Sequence, residues 1–267
     1  MRSFVDLDLT LGSQPPRLGA LLARIDVARG REGLYADQLP QLLAALAEET
    51  RIASITASSA IEGVVVDPER VERIVSASGA GRFRDRNERE FAGYRDAVDG
   101  ITRAESQEEL SLPLVLQLHR LLYSHSGGRG GYLKTEVNLI LSYADGRREV
   151  LFTPVPPEEA AFALTELVAR YNAAVAAEAA HPVVLVGALI LDFLAIHPFA
   201  DGNGRVARML TTQQLLARGY GIPRYVSVEQ RIFDTKSAYY DALYRSQQGW
   251  HEGTHVVWPW VEYLAGV

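Results

Sequence analysis

Twelve consecutive residues, His197-Pro198-Phe199-Ala200-Asp201-Gly202-Asn203-Gly204-Arg205-Val206-Ala207-Arg208, concentrate the groups that phosphate chemistry requires. His197 is a base whose unperturbed pKa lies near neutrality. Asp201 offers a hard oxygen ligand, and Mg²⁺ on nucleotide phosphates often takes only one or two protein carboxylates. Gly202 and Gly204 permit the left-handed backbone that curls successive amides into an anion nest. Arg205 and Arg208 add forked donors suited to phosphate oxygens. Singly, each has an ordinary alternative. Gly-Asn-Gly is a common turn, a histidine after an apolar helix is often a satisfied core residue or cap, and Arg205 and Arg208 could be ordinary first-turn arginines, though cations there oppose the helix dipole. Together they describe phosphoryl or nucleotidyl transfer, a chemistry of positioning and charge stabilisation.

The elements that must position this loop follow from the flanking pattern. Val183 to Ile196 is apolar on every side, which predicts a central buried helix delivering His197. Arg205 to Arg218 predicts the next helix, whose N-terminal amides and dipole favour an anion in the loop. Upstream, Leu42, Leu43, Leu46, Ile52 and Ile55 recur at helical spacing, predicting a helix over 38–61 that Gly63 stops. Further helices are expected over 69–78, 88–103, 112–123, from Glu158 towards Ala180, and over 228–247 and 254–264. Arg82 to Glu90 reads as a solvated face, and residues 1–33 as mixed, with Pro15-Pro16 and the stretch Gly30 to Gly33 as breakers. The β signal is confined to 137–143 and 149–153, joined through Asp145-Gly146, a hairpin turn pair. The class is all-α with one β-hairpin, in three regions: 1–105, 106–220 and 221–267.

The segment resembles the Fic-domain signature, His-Pro-Phe-x-Asp/Glu-Gly-Asn-Gly-Arg-x-x-Arg, at every defined position. The resemblance implies a Fic-like helical fold in which the hairpin is a flap. It implies that His197 deprotonates a target hydroxyl, which attacks the α-phosphorus of ATP. Asp201 would hold Mg²⁺, Gly202, Asn203, Gly204 and Arg205 would bind phosphates, and Arg208 would take the γ-phosphate. The phosphotransferring Doc type carries Lys where this chain has Gly204, so AMP transfer is favoured.

Thr56 to Gly63 resembles the family's inhibitory motif, Ser/Thr-x-x-x-Glu-Gly/Asn, through Ser58, Glu62 and Gly63. That implies a group with an N-terminal inhibitory helix, whose glutamate pairs with the second signature arginine, here Arg208. The residues add that Ile55, Ser58 and Glu62 share one helix face, and that an acid in a last turn opposes the dipole. In the family the flap pairs with an extended target by main-chain hydrogen bonds, which points to Val137, Asn138 and Leu139. Here Lys134 stands where arginine is frequent, and Asn138 to Leu141 departs from the usual Val-x-Ile-Gly. Tyr239, Tyr240 and Leu243 resemble the segment lining the family's adenine pocket; a tyrosine pair on a helix is otherwise ordinary core packing.

Composition sets the outer limits. The 267 residues carry 27 basic and 33 acidic side chains, a net charge of −6, which argues against a nucleic-acid footprint. The absence of cysteine excludes disulfides, thiolate metal sites and thiol catalysis. Met1 to Asp6 has no signal-peptide character, and Val183 to Ile196 is too short to span a bilayer. The expectation is a soluble, cytoplasmic protein adenylyltransferase with ATP as co-substrate and Mg²⁺ as cofactor, acting on a Ser, Thr or Tyr of another protein or itself, and compatible with a homodimer. Two rivals stand beside it: the reverse reaction, removing AMP with Glu62, and a nucleotide-sensing regulator without catalysis. His119, His125, His181, His251 and His255 read as structural or exposed, and Trp250, Trp258 and Trp260 as packing or interface residues.

Overall fold

The structure, a computed structural model, describes residues 2–5, 14–77, 82–103, 108–144 and 147–267. Among them lie α1 (Pro16–Gln38), α2 (Pro40–Ile61), α3 (Pro68–Ser76), α4 (Arg86–Arg103), α5 (Leu112–Leu122), β1 (Ile140–Ala144), β2 (Arg147–Phe152), α6 (Pro157–Ala176), α7 (Pro182–Ile196), α8 (Asn203–Ala217), α9 (Val228–Asp234), α10 (Lys236–Gln247) and α11 (Trp258–Gly266). The expected class, all-α with one β-hairpin, is what the chain forms. β1 and β2 pair antiparallel, with a register irregularity between Ile140 and Leu141. The Asp145-Gly146 turn lies outside the described residues.

The uniformly apolar stretch becomes the axis of the molecule. Every residue of α7 from Val183 to Ile196 is buried, and α6, α8, α10 and α11 pack around it. Its single charge, Asp192, accepts from Ser3 Oγ at 2.7 Å and Trp250 Nε1 at 2.7 Å, so both ends of the chain are fastened to the central helix. Trp258 and Trp260 are buried in the same core. No helix of the described residues is long and apolar enough to cross a membrane.

Four boundaries differ from expectation. The glycines at 30 and 33 do not break α1, which runs through both. Tertiary anchors explain this: Arg29 Nε donates to Gly219 O at 3.1 Å, and Glu32 accepts from Gly221 N at 2.8 Å. Strand pairing begins at Ile140 instead of Val137. The span 228–247 is two helices, because Thr235 leaves helical geometry (φ −119°, ψ 31°). The last helix starts at Trp258, with Pro259 in its first turn, where the missing N–H costs nothing.

Arg82 to Glu90 is not simply a solvated face. Glu88 and Glu90 are both buried. Arg70 holds Glu88 through two bonds of 2.8 Å, and Glu90 reaches the site described next.

Candidate active site

α7 stops at Ile196, and His197 caps it in the left-handed region (φ 51°, ψ 60°), its N–H donating to Phe193 O at 2.9 Å. Gly202 reopens the chain into α8 at φ 82°, and a side chain there would meet Leu122 and Tyr123. Asn203 closes the loop between these points: Oδ1 accepts from Phe199 N at 2.9 Å and Nδ2 donates to Phe199 O at 2.8 Å. Its side chain is thus committed to loop shape. Phe199 is fully buried and stacks on His119 with ring centroids 3.8 Å apart. His119 Nδ1 accepts from Gly131 N at 2.8 Å, which leaves Nε2–H to donate to Asp201 O at 3.1 Å. Burial holds this imidazole neutral, with its pKa down at about 4.

The His197 tautomer follows from its neighbour. Nδ1 lies 3.2 Å from Leu194 O, a carbonyl that can only accept, so Nδ1 carries the proton and Nε2 keeps its lone pair. Burial lowers its pKa to about 4, and the positive charge of Lys134 acts in the same direction. Lys134, itself buried and lowered to about 8 by desolvation, donates through Nζ to Ile196 O at 3.1 Å and Asn138 Oδ1 at 2.8 Å. Asn138 Nδ2 continues to Phe199 O at 2.9 Å, and Lys134 N to Pro198 O at 2.9 Å. Three residues that flank His197, namely Ile196, Pro198 and Phe199, are therefore clamped to the base of the hairpin.

The two arginines are in different hands. Arg205, 3% exposed, donates to Glu90 Oε2 at 2.6 Å and to Tyr123 Oη at 3.1 Å. Its Nε is buried without a partner, so part of its donor capacity is unspent. Arg208 donates from Nε to Ser58 Oγ at 2.8 Å, and from Nη2 to Ser58 O at 3.1 Å and Glu62 Oε1 at 2.8 Å. Glu62 is the C-cap of α2. Gly63 follows at φ 77°, with Gly63 N donating to Ala60 O and Val64 N to Ser59 O, a Schellman closure. Lys236 Nζ donates to Ile61 O at 2.9 Å and fixes the same helix end from α10. The Glu62 carboxylate lies where a side chain on Gly204 would project, so only glycine leaves it room. A carboxylate therefore sits over the first turn of α8, where the helix field favours an anion.

Asp201 stands apart from these pairs. Its carboxylate is 64% exposed, bonded through Oδ1 to Gly202 N at 2.6 Å, with Arg205 and Arg86 at 3.8 and 3.9 Å from Oδ2. It opens on a cavity of about 520 Å³ lined by Arg86, Tyr123, Tyr132 and Lys134 among others. No group of three or more His, Asp or Glu among the described residues could hold a metal alone. A single exposed carboxylate fits Mg²⁺ whose remaining ligands are phosphates and water.

The other expected residues divide. Tyr239 and Leu243 are buried, and Tyr239 packs edge-on against Trp260 at 5.5 Å. Tyr240 is 47% exposed, with Lys236 Nζ 6.0 Å above its ring. Val137 and Leu139 are exposed, and residues 137–139 make no backbone hydrogen bond to described residues. Sequence reasoning missed Glu90 and Tyr123 as supports of the loop, and its reading of His119 as structural or exposed holds in the first sense. Their partners lie 82 to 115 positions away, beyond any local spacing.

Residues 109–215 match the family model described as Fic/DOC family. That stretch is similar to Fic/DOC domains. A protein from Desulfovibrio desulfuricans G20, described as a Fic family protein, superimposes with a TM-score of 0.74 at 24% identity, over 95% of this chain and 72% of that one. The fold is therefore shared beyond the matched domain. Two curated relatives, each named protein adenylyltransferase Fic, come from Drosophila grimshawi (31% identical over 148 residues, 53% of this chain) and Culex quinquefasciatus (27% over 213 residues, 76% of this chain). The matches span only 26% and 38% of the length of those relatives.

Proposed function

We propose that the chain is a protein adenylyltransferase that moves AMP from ATP to a Ser, Thr or Tyr hydroxyl of a target protein or of itself, restrained by Glu62. One observation carries this reading. An acidic side chain from a separate helix occupies Arg208 and the anion position over Gly204, as a built-in competitor for a phosphate would. The names of the curated relatives support the same activity.

In this reaction the Nε2 lone pair of His197 takes the hydroxyl proton as the oxygen forms its bond to the α-phosphorus. The bond from that phosphorus to the bridging oxygen breaks, and pyrophosphate leaves. The clamp from Lys134 and Asn138 holds His197 in place, while the backbone amides of Asn203 and Gly204 and the Arg205 guanidinium offer the donors that face phosphate charge. Arg208 takes the terminal phosphate once Glu62 withdraws. Asp201 would hold Mg²⁺, which when bound neutralises phosphate charge. Tyr240 offers an exposed ring for the adenine, and the unpaired backbone of 137–139 an edge for the target. Ser58, bonded twice to Arg208, and Gly63, which closes α2, keep Glu62 in register.

The deciding assay uses ATP labelled at the α- or the γ-phosphate with the Glu62→Gly variant. Protein should take label only from the α-position, and His197→Ala should lower the rate by about 10²–10⁴-fold. Label arriving from the γ-position would make the chain a kinase. Release of AMP from a modified target, without forward transfer, would favour the reverse reaction.

A further inference from the structure

A second cavity, of about 250 Å³, lies between α2, α4, α8, α9 and the 3₁₀ turn Ile222–Arg224, and none of residues 197–208 lines it. Ala47, Val98, Met209 and Pro223 give it apolar walls, and Thr212 and Glu229 supply polar groups. Glu229 is 3% exposed. Its partners are three hydroxyls, those of Tyr94, Thr212 and Ser227, each at 3.4 Å, the long end of hydrogen bonding. No salt bridge among the described residues reaches it. The two wall arginines are engaged elsewhere: Arg51 with Asp99 and Glu48, and Arg224 with Thr102 O. A buried carboxylate with only distant neutral donors is costly, and a cation entering beside it relieves that cost. The volume falls just below the range of about 300–1,000 Å³ typical of drug-sized ligands, so the occupant is small.

We propose that this cavity is an effector site for a small aliphatic ammonium compound, its alkyl part on the apolar walls and its charged nitrogen on Glu229. One hydrogen-bond path and one chain of close contacts connect Glu229 to the helix that carries Glu62. In one, Ser54 Oγ donates to Ser227 Oγ at 2.8 Å, and Ser227 donates to Glu229 Oε2. In the other, Arg208 Nε donates to Ser58 Oγ, Ser58 lies beside the Tyr94 hydroxyl, and Tyr94 donates to Glu229 Oε1. Ser54, Ser58 and Glu62 are spaced by four and share one face of α2. An ammonium that takes the Glu229 lone pairs displaces the Tyr94 and Ser227 hydroxyls, and with them the seating of that face. The regulatory meaning of this movement rests on the adenylyltransferase reading, whereas the site itself does not.

The test therefore reads binding and helix order, neither of which requires AMP transfer. n-Butylamine and 1,4-diaminobutane should give a saturable rise in Tm of a few degrees, and n-butanol should not. The rise should vanish in Glu229→Gln, which keeps the shape, and in Ala47→Leu, which fills the cavity without touching the carboxylate. Bound amine should also speed amide exchange several-fold at residues 58–64. No Tm response in the folded wild type, or an equal response in both variants, overturns the site. A Tm response with unchanged exchange at 58–64 overturns the coupling and leaves the site standing. Radiolabel transfer, measured separately, decides the enzymatic reading on its own.

Discussion

Replacing Glu62 by glycine removes one ion pair and uncovers one anion site, and the structure permits an estimate of both. The pair is 2.8 Å long, with Arg208 2% exposed and Glu62 33% exposed on the side-chain scale. Cutting a fully buried pair costs about 3–5 kcal/mol, and an exposed pair contributes about 0–1 kcal/mol. A half-open pair falls between, and about 1.4–2.8 kcal/mol of relief in the transition state raises the rate about 10- to 100-fold. Stability should change little. Arg208 keeps both bonds to Ser58, and the lost carboxylate sat between the opposing C-terminal dipole of α2 and the favourable N-terminal field of α8, which offset each other. A loss of about 1 kcal/mol lowers Tm by about 2–4 °C in a chain of this size. Initial rates of AMP incorporation and melting curves are to be measured for Glu62→Gly, Arg208→Ala and the double variant. Activation should appear in the first and be largely absent from the double, because the freed arginine is what receives the terminal phosphate. Unchanged or reduced transfer by a well-folded Glu62→Gly, with a validated target present, would falsify the restraint, and full activation of the double variant would show that Arg208 takes no part in it.

Three further outcomes are expected. Asp201→Ala should lower turnover and its response to Mg²⁺ together while leaving Tm unchanged, since the carboxylate is exposed; a wild-type Mg²⁺ titration would put the metal elsewhere. Glu90→Gln should cost about 3–5 kcal/mol, a fall in Tm on the order of 10 °C, because Arg205 is left buried without its carboxylate; an unaltered melting curve would show that Arg205 does not depend on it. The pH dependence follows from two histidines held at about 4 against a free value of 6.5. The unfolded chain binds more protons between those values, so stability falls as pH drops from about 6.5 towards 4 and is flat above 6.5 as far as these groups are concerned. Denaturant melts at several pH values should lose that slope in part when His119 is replaced by asparagine.

The legible part of this molecule was the part written in local spacing. The apolar run before His197, the glycine at 202 and the acid before Gly63 each mark an element boundary through backbone chemistry that depends on neighbours in sequence, whereas Gly204, expected to be left-handed like Gly202, lies within the first turn of α8. What stayed hidden was long-range. Glu90 in a charge-rich stretch has the composition of a solvated face, and only the fold reveals Arg205 across from it. Asp192 looks like an interruption of an apolar helix until Ser3 and Trp250 arrive from the chain ends. The glycines of α1 carry a real helical penalty, about 1 kcal/mol each, which anchors at Gly219 and Gly221 override.

The left-handed backbone at His197 has a consequence for how the site is maintained. A residue with a Cβ in that conformation costs roughly 1–2 kcal/mol, which glycine would not incur. The fold alone would thus favour glycine at this corner, and the imidazole is kept there against that preference. Alanine at 197 deletes the base but retains the strain, whereas glycine deletes both. Inactive glycine variants should therefore melt above their alanine counterparts, and under selection for stability alone this position would drift from histidine towards glycine.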